Sequence, residues 1–112
     1  MLIYKIFRAD EWDHLKTNGD TAGAPIDLAD GYIHFSTGGQ AQETADKHFA
    51  GAVDLVLAAV DTAQLGDALK WEVSRGGAEF PHLYARLRLA DVSWCDPLPL
   101  VDGRHKFPGR CI

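Results

Sequence analysis

Between Asp54 and Asp61 the chain reads LVLAAV, an apolar run with no polar break. It has the length of a strand and is too short for a helix crossing a core. Side chains alternate between the two faces of a strand. A run that is apolar at every position therefore needs cover on both faces and a central place in its sheet. The rest of the chain must supply a layer on each side of it. At 112 residues the length prior is one domain, and 46% hydrophobic against 24% charged residues suits a single core and is too apolar for disorder.

Elements that can form those layers are legible along the chain. LIYKIF, residues 2 to 7, is β-branched and aromatic and reads as a strand. Asp10 is expected to cap a short helix to about Thr17, with Trp12 and Leu15 inward and Asn18-Gly19 as its stop. Residues 19 to 31, GDTAGAPIDLADG, read as a long loop. Tyr32 to Ser36 reads as a strand with Tyr32, His34 and Ser36 on one face and Ile33 and Phe35 on the other. Thr37-Gly38-Gly39-Gln40 fits a capping box and predicts a helix whose inner face carries Ala41, Ala45, His48 and Phe49 and which stops at Gly51. DTAQL predicts a helical turn. KWEVS, from Lys70, predicts a strand with Trp71 and Val73 opposite Glu72. Arg75-Gly76-Gly77 predicts a turn. His82 to Leu89 alternates, with His82, Tyr84, Arg86 and Arg88 on one side, as a half-buried strand does. One more strand is expected between Asp91 and Leu100. The pattern lacks regular βαβ alternation, so the class is α+β, a mixed or mostly antiparallel sheet flanked by two main helices. Residues 1–101 form the domain, and the polar, basic tail 102–112 is expected to be loosely ordered.

Composition narrows the function. A net charge of −5 and dispersed acids argue against a general nucleic-acid binder. Arg86 with Arg88 is one candidate for a local basic patch. Cys95 and Cys111 show no metal or redox spacing and read as free thiols of a reducing compartment. The N-terminus lacks signal-peptide character and no window is apolar enough for a membrane span, which predicts a cytoplasmic protein. The five histidines show no metal-ligand spacing, so no metal is expected. There is no nucleophile elbow of the G-x-S-x-G kind.

Two stretches remain as candidate sites. At GYIHFSTGG, His34 and Ser36 share a strand face and lead into glycines and a helix start, where backbone N–H groups suit a phosphate or carboxylate. The plainer reading is that Thr37 caps a helix and His34 is a half-exposed polar residue. In FPHLYARLRL, His82, Tyr84 and two arginines share a face suited to an anion or a ribose edge, or they are solvated charges. Glu72 is the nearest acid for a general base or a ribose hydroxyl; Glu79, in a turn, is a weaker candidate.

DGYIHFST, KWE and FPHLY, in that order and spacing, resemble a bacterial family known as domain-of-unknown-function family 952, from LIYKIF to about Leu100. The family in turn resembles, more distantly, the ADP-ribosyltransferase fold, whose members cleave NAD or transfer its ADP-ribose. The resemblance implies that His34 with Ser36 and Thr37 is the strand signature, Glu72 the late acid and Tyr84 the aromatic residue. Similar sequences often carry a histidine where this chain has Lys5.

The expectation is a cleft lined by His34, Ser36, Thr37, Glu72, His82 and Tyr84, binding a nucleotide of the NAD or ADP-ribose kind. His34 hydrogen-bonds a ribose hydroxyl, the N–H groups of Thr37, Gly38 and Gly39 hold a phosphate, and Glu72 orients the reacting sugar, with His34 and Glu72 as the catalytic pair. NAD enters as a substrate. The alternatives are a non-catalytic module for a small anionic metabolite or a protein partner, and a structural domain marked by a wide apolar patch.

Overall fold

The structure is a computed structural model that describes residues 1–110. Cys111 therefore lies outside the described residues. In chain order the elements are β1 (Leu2–Phe7), α1 (Ala9–Asn18), β2 (Asp20–Thr21), α2 (Pro25–Asp30), β3 (Ile33–His34), α3 (Ala41–His48), β4 (Leu55–Asp61), β5 (Leu69–Val73), β6 (Glu79–Leu83), β7 (Leu87–Arg88), β8 (Val92–Leu98), β9 (Leu100–Val101) and β10 (Arg104–His105). Single 3-10 turns at Thr62–Gln64, Gly66–Ala68, Arg75–Gly77 and Leu89–Asp91 join some of them. No helix among the described residues is long and apolar enough to cross a membrane.

The architecture is α+β, but in place of one sheet there are four small ones. Two are three-stranded, ordered β1-β4-β8 and β3-β6-β5, and the other two are the pairs β2-β7 and β9-β10. Every strand pair among the described residues is antiparallel. The two larger sheets are stitched at one point: Tyr4 N–H donates to Ser36 O at 2.7 Å and Ser36 N–H returns to Tyr4 O at 2.8 Å. That bridge brings the start of the chain against the His34 strand.

β4 is central and covered on both faces, as its unbroken apolar run requires. Ala58 and Val60 pack with Ile3, Phe7, Trp12, Leu15, Ile33 and Leu83 on one side. Leu55, Leu57 and Ala59 pack with Tyr4, Ile6, Ala41, Ala45 and Leu98 on the other. Each fully buried aliphatic side chain contributes roughly 1.5–3 kcal/mol through removal from water. Pro97 is tolerated in β8 because that strand is an edge, where a missing N–H interrupts no ladder.

Several local expectations are corrected. α1 starts one residue before Asp10, because Glu11 Oε1 accepts the Arg8 N–H at 2.9 Å and ties off the first turn there. It ends at Gly19, whose φ of +82° lets its N–H reach Leu15 O. The loop of residues 19 to 31 contains β2 and α2, so there are three helices among the described residues rather than two. Pro25 opens α2 where a missing N–H costs nothing. α3 begins at Ala41 and ends at His48, not Gly51, and His48 is exposed. The strand expected from His82 to Leu89 is broken after Leu83: β6 ends there, residues 84–86 lie outside any strand, and β7 takes up Leu87–Arg88. β6 is buried on both faces rather than half-buried, since Phe80, Pro81, His82 and Leu83 are all inaccessible. Glu79 is its first residue rather than part of a turn.

The expected loose tail is docked as far as it is described. β9 and β10 form a hairpin, and His105 is buried with Nε2 donating to Ala52 O at 2.7 Å. Arg104 pairs with Asp46 on α3, and Arg110 pairs with Asp96 and lies 3.9 Å over the Trp94 ring. Basic residues of that stretch thus found acids on the domain.

Candidate functional site

β3 and β6 pair so that His34 stands directly opposite His82. Their rings lie on one face, edge to face, with centroids 5.3 Å apart. Tyr32, two residues before His34, stacks on His82 at 4.2 Å and also meets His34 at 4.7 Å and Tyr84 at 5.1 Å. Such ring pairs contribute about 0.5–1.5 kcal/mol each beyond their burial. The two sequence stretches singled out above therefore build one cluster, with Tyr32 at its centre.

Glu72 on β5 closes one side. Its Oε1 accepts from the Tyr84 phenol at 2.7 Å and from His82 Nδ1 at 2.8 Å. The Tyr84 and His82 hydrogen bonds hold the Glu72 carboxyl below its ordinary range. The same Glu72 bond pushes the Tyr84 phenol up to about 12. Oε2 of Glu72 makes no hydrogen bond among the described residues and faces outward on a half-exposed side chain.

Asp27 on α2 closes the other side, and only 1% of it is exposed. Oδ1 accepts the His34 backbone N–H at 3.0 Å and meets His34 Nδ1 at 2.6 Å. Oδ2 accepts the Ala24 N–H at 2.7 Å and the Lys5 ammonium at 2.9 Å. Burial alone raises the carboxyl's pKa, but the His34 and Lys5 contacts outweigh it and hold Asp27 down at about 2. Lys5, 6% exposed, also donates to His34 O at 3.2 Å. Asp30, one turn of α2 further on, reaches His34 Nε2 at 3.0 Å. His34 is thus held through its backbone, both ring nitrogens and its contact with the Tyr32 ring.

Beside the cluster a cleft of about 590 Å³ is lined by His34 and Ser36 together with Lys5, Arg8, Thr44 and Phe49, among others. The Ser36 hydroxyl is shared with Thr44 of α3 at 2.8 Å. A smaller depression of about 310 Å³, on the Tyr32 and Tyr84 side, includes Arg86.

Five of the eight residues expected to form the site fall into two groups by place. His34, Glu72, His82 and Tyr84 are one connected cluster, and Ser36 lines the adjoining cleft. Thr37, Gly38 and Gly39 form the turn into α3 and do not line that cleft. The Thr37 N–H already donates to Gln40 Oε1 at 3.0 Å, and Gln40 in turn donates to Glu79 O. That is one half of the capping box, so this N–H serves the helix start rather than an anion. Arg86 and Arg88 do not make a joint basic patch: Arg86 pairs with Asp20 and Arg88 with Asp91.

Lys5, Asp27, Asp30 and Tyr32 were missed by sequence reasoning. One signal was available for Lys5, a lysine inside an otherwise apolar strand, which needs a buried carboxylate partner. Pro25 followed by Asp27, with Gly31 beyond, is a helix signature that marked Asp27 as an N-terminal acid. Among the described residues no group of three or more His, Cys, Asp and Glu side chains is placed to hold a metal ion.

The chain is similar to solved structures of protein CC0527 from Caulobacter crescentus. Its crystal structure shares 52% identity with a TM-score of 0.91, covering 95% of this chain and 94% of that one. A crystal structure of a double mutant of the same protein gives 51% identity and a TM-score of 0.90 over the same shares. The solution structure of CC0527 gives 52% identity and a TM-score of 0.83, covering 93% and 90%. None of the curated proteins matches the chain. A family model matches residues 6–95, a span that holds His34, Glu72, His82 and Tyr84, and the chain belongs to that family, described as "Protein of unknown function (DUF952)".

Proposed function

We propose that this chain binds a nucleotide of the NAD or ADP-ribose kind at the His34–His82 cluster, on an ADP-ribosyltransferase-like frame. His34 and Glu72 then serve ADP-ribosyl transfer or NAD glycohydrolysis. The observation that carries the reading is the carboxylate of Glu72 held 2.8 Å from His82, which itself stands opposite His34. Cleaving an N-glycosidic bond leaves positive charge on the sugar carbon, and a fixed carboxylate stabilises that charge as it develops. In the glycohydrolase direction the bond from the ribose carbon to the nicotinamide nitrogen breaks and nicotinamide departs with the electron pair. Water adds to the ribose carbon, one proton is released, and the products are ADP-ribose and nicotinamide. Glu72 Oε2 is available for a ribose hydroxyl, and Ser36 lines the cleft beside His34.

A second reading, a non-catalytic module for a small anionic metabolite, is favoured by the commitment of both His34 nitrogens to Asp27 and Asp30. A ribose hydroxyl reaches His34 Nε2 only by displacing Asp30, which is exposed enough to swing away.

A two-dimensional NMR titration with NAD, ADP-ribose, AMP and inorganic phosphate separates the readings, combined with an assay for released nicotinamide. Shifts at residues 32–36, 72 and 82–84 with the nucleotides, lost in His34→Ala, together with nicotinamide release that Glu72→Gln abolishes, are the expected result. Shifts without release leave the binding module. No shifts at millimolar nucleotide overturn both nucleotide readings.

A further inference from the structure

The cleft beside His34 contains a guanidinium that no carboxylate among the described residues pairs with. Arg86, Arg88, Arg104 and Arg110 are each paired with a carboxylate at 2.8–2.9 Å. Arg8 is different. It lines the cleft, its guanidinium lies 4.8 Å over the Phe49 ring, and among the described residues it forms no ion pair. Its own backbone N–H is capped by Glu11, so the main chain there is settled and the side chain is not engaged in holding it. Stacking on an aromatic ring restricts a guanidinium while leaving its N–H edge to bind, which suits the bidentate geometry of phosphate.

We infer that Arg8 is the anion subsite of this cleft, and that its ligand carries a phosphate or diphosphate at Arg8 while its sugar lies at His34. The inference deepens the nucleotide reading and rests on it for the sugar end alone. Arg8 and His34 line the same cleft. The cleft between them offers Ile6, Phe35, Ala41 and Phe49 as apolar walls and the Ser36 and Thr44 hydroxyls as polar ones. The other charged or titratable side chains on the lining are Lys5, which is committed to Asp27, the acids Glu11 and Asp30, and the histidines His34 and His48. Arg8 is therefore the group able to take an anion there, in place of the Thr37–Gly39 backbone.

The test measures affinity of the wild-type protein, Arg8→Gln and Arg8→Lys for ADP-ribose, adenosine and inorganic pyrophosphate by calorimetry. The Arg8 side-chain Nε–H resonance is followed by NMR in parallel. Arg8 is exposed and outside both core clusters, so the variants are expected to fold as wild type. The expected result is a 10- to 100-fold loss of ADP-ribose affinity in Arg8→Gln, as for a lost charge-assisted hydrogen bond, and partial recovery in Arg8→Lys. Adenosine binds at least tenfold more weakly than ADP-ribose to wild type and equally to all three proteins. Pyrophosphate moves the Arg8 resonance even in His34→Ala. ADP-ribose binding that is unchanged in Arg8→Gln overturns the subsite and leaves the nucleotide reading standing. Pyrophosphate binding at Arg8 without any nucleotide binding does the reverse. No response of the Arg8 resonance to any of the three overturns the subsite.

Discussion

His34 and His82 face each other across an antiparallel strand pair with ring centroids 5.3 Å apart, yet each is held by a different carboxylate. The cluster is thus two halves that meet at Tyr32, one anchored by Asp27 and the other by Glu72. His82→Phe separates packing from chemistry. A phenyl ring keeps the stack on Tyr32 but loses the Nδ1 contact with Glu72, whose exposed carboxylate regains water. Stability is expected to fall by no more than about 1.5 kcal/mol, while nucleotide binding falls at least tenfold. A thermal melt beside the same titration reads both; equal collapse of the two means the histidine is there for the fold.

Asp27 makes the other half a stability device as well. Its carboxyl is held at about 2 against an ordinary value of 3.8, a depressed pKa. Its contribution is therefore fully present above about pH 4 and is lost as pH falls toward 2, about 2 kcal/mol in all. Lys5→Met takes the ammonium away from that buried carboxylate and is expected to cost about 3–5 kcal/mol. Adding Asp27→Leu does not rescue it, because Asp27 also satisfies the backbone N–H groups of Ala24 and His34. Urea unfolding of both variants at pH 7 and of wild type from pH 5 to 2 checks this; a flat wild-type pH profile counts against the Asp27 account.

Tyr84 reports on Glu72 directly. The phenol is raised to about 12 because it donates to a carboxylate. In Glu72→Gln the charge is gone, and the phenolate is expected to form near the ordinary value of about 10. Ultraviolet difference titration of wild type, Glu72→Gln and a Tyr84→Phe control isolates that one phenol. An unmoved titration means the bond does not persist in solution.

The fold's frame was legible where a local pattern and the tertiary demand agreed. LVLAAV could be satisfied in one way, and β4 took the central place it required. Short elements were another matter. GDTAGAPIDLADG reads as a loop because glycine, aspartate and proline dominate it, yet Pro25 and Asp27 in it start a helix that presents Asp27 and Asp30 to His34. At the site, period-2 alternation placed His34 and Ser36 on a common face, but it carries no information about register between strands. That His82 sits opposite His34, and that Lys5 reaches both Asp27 and the His34 carbonyl, follow from long-range pairing. The glycines behind His34 form the turn into α3 and do not line the cleft beside His34.

The C-terminal hairpin carries a buried histidine, and its removal is expected to be felt. His105 donates Nε2–H to Ala52 O, and Gln42 of α3 donates to His105 O at 3.2 Å. His105→Ala leaves the Ala52 carbonyl without that donor and is expected to cost about 1–3 kcal/mol. Arg104→Ala removes an exposed pair and is expected to cost less than His105→Ala. Chemical denaturation of the two variants ranks them; equal and negligible losses would return the hairpin to the status of a loose tail.

Gly23 is the position where a single methyl group tests the design of the site. Its φ of +108° lies where side chains other than glycine's are strained, and a Cβ built there would run into the Asp27 carboxylate. Neither atom can yield cheaply, because Asp27 is fixed by four hydrogen-bond donors from Ala24, Lys5 and His34. The Gly23 N–H is held as well, by the Thr21 hydroxyl at 3.0 Å. Gly23→Ala must therefore displace Asp27, and with it the orientation of His34, in addition to about 1–3 kcal/mol of backbone strain. Gly76→Ala, also at positive φ but with open space around it, carries the strain alone. The expected outcome is that both variants lose stability but only Gly23→Ala perturbs the His34 ring resonances and weakens nucleotide binding. Matching spectra at His34 in the two variants would mean that Asp27 does not set the ring's position.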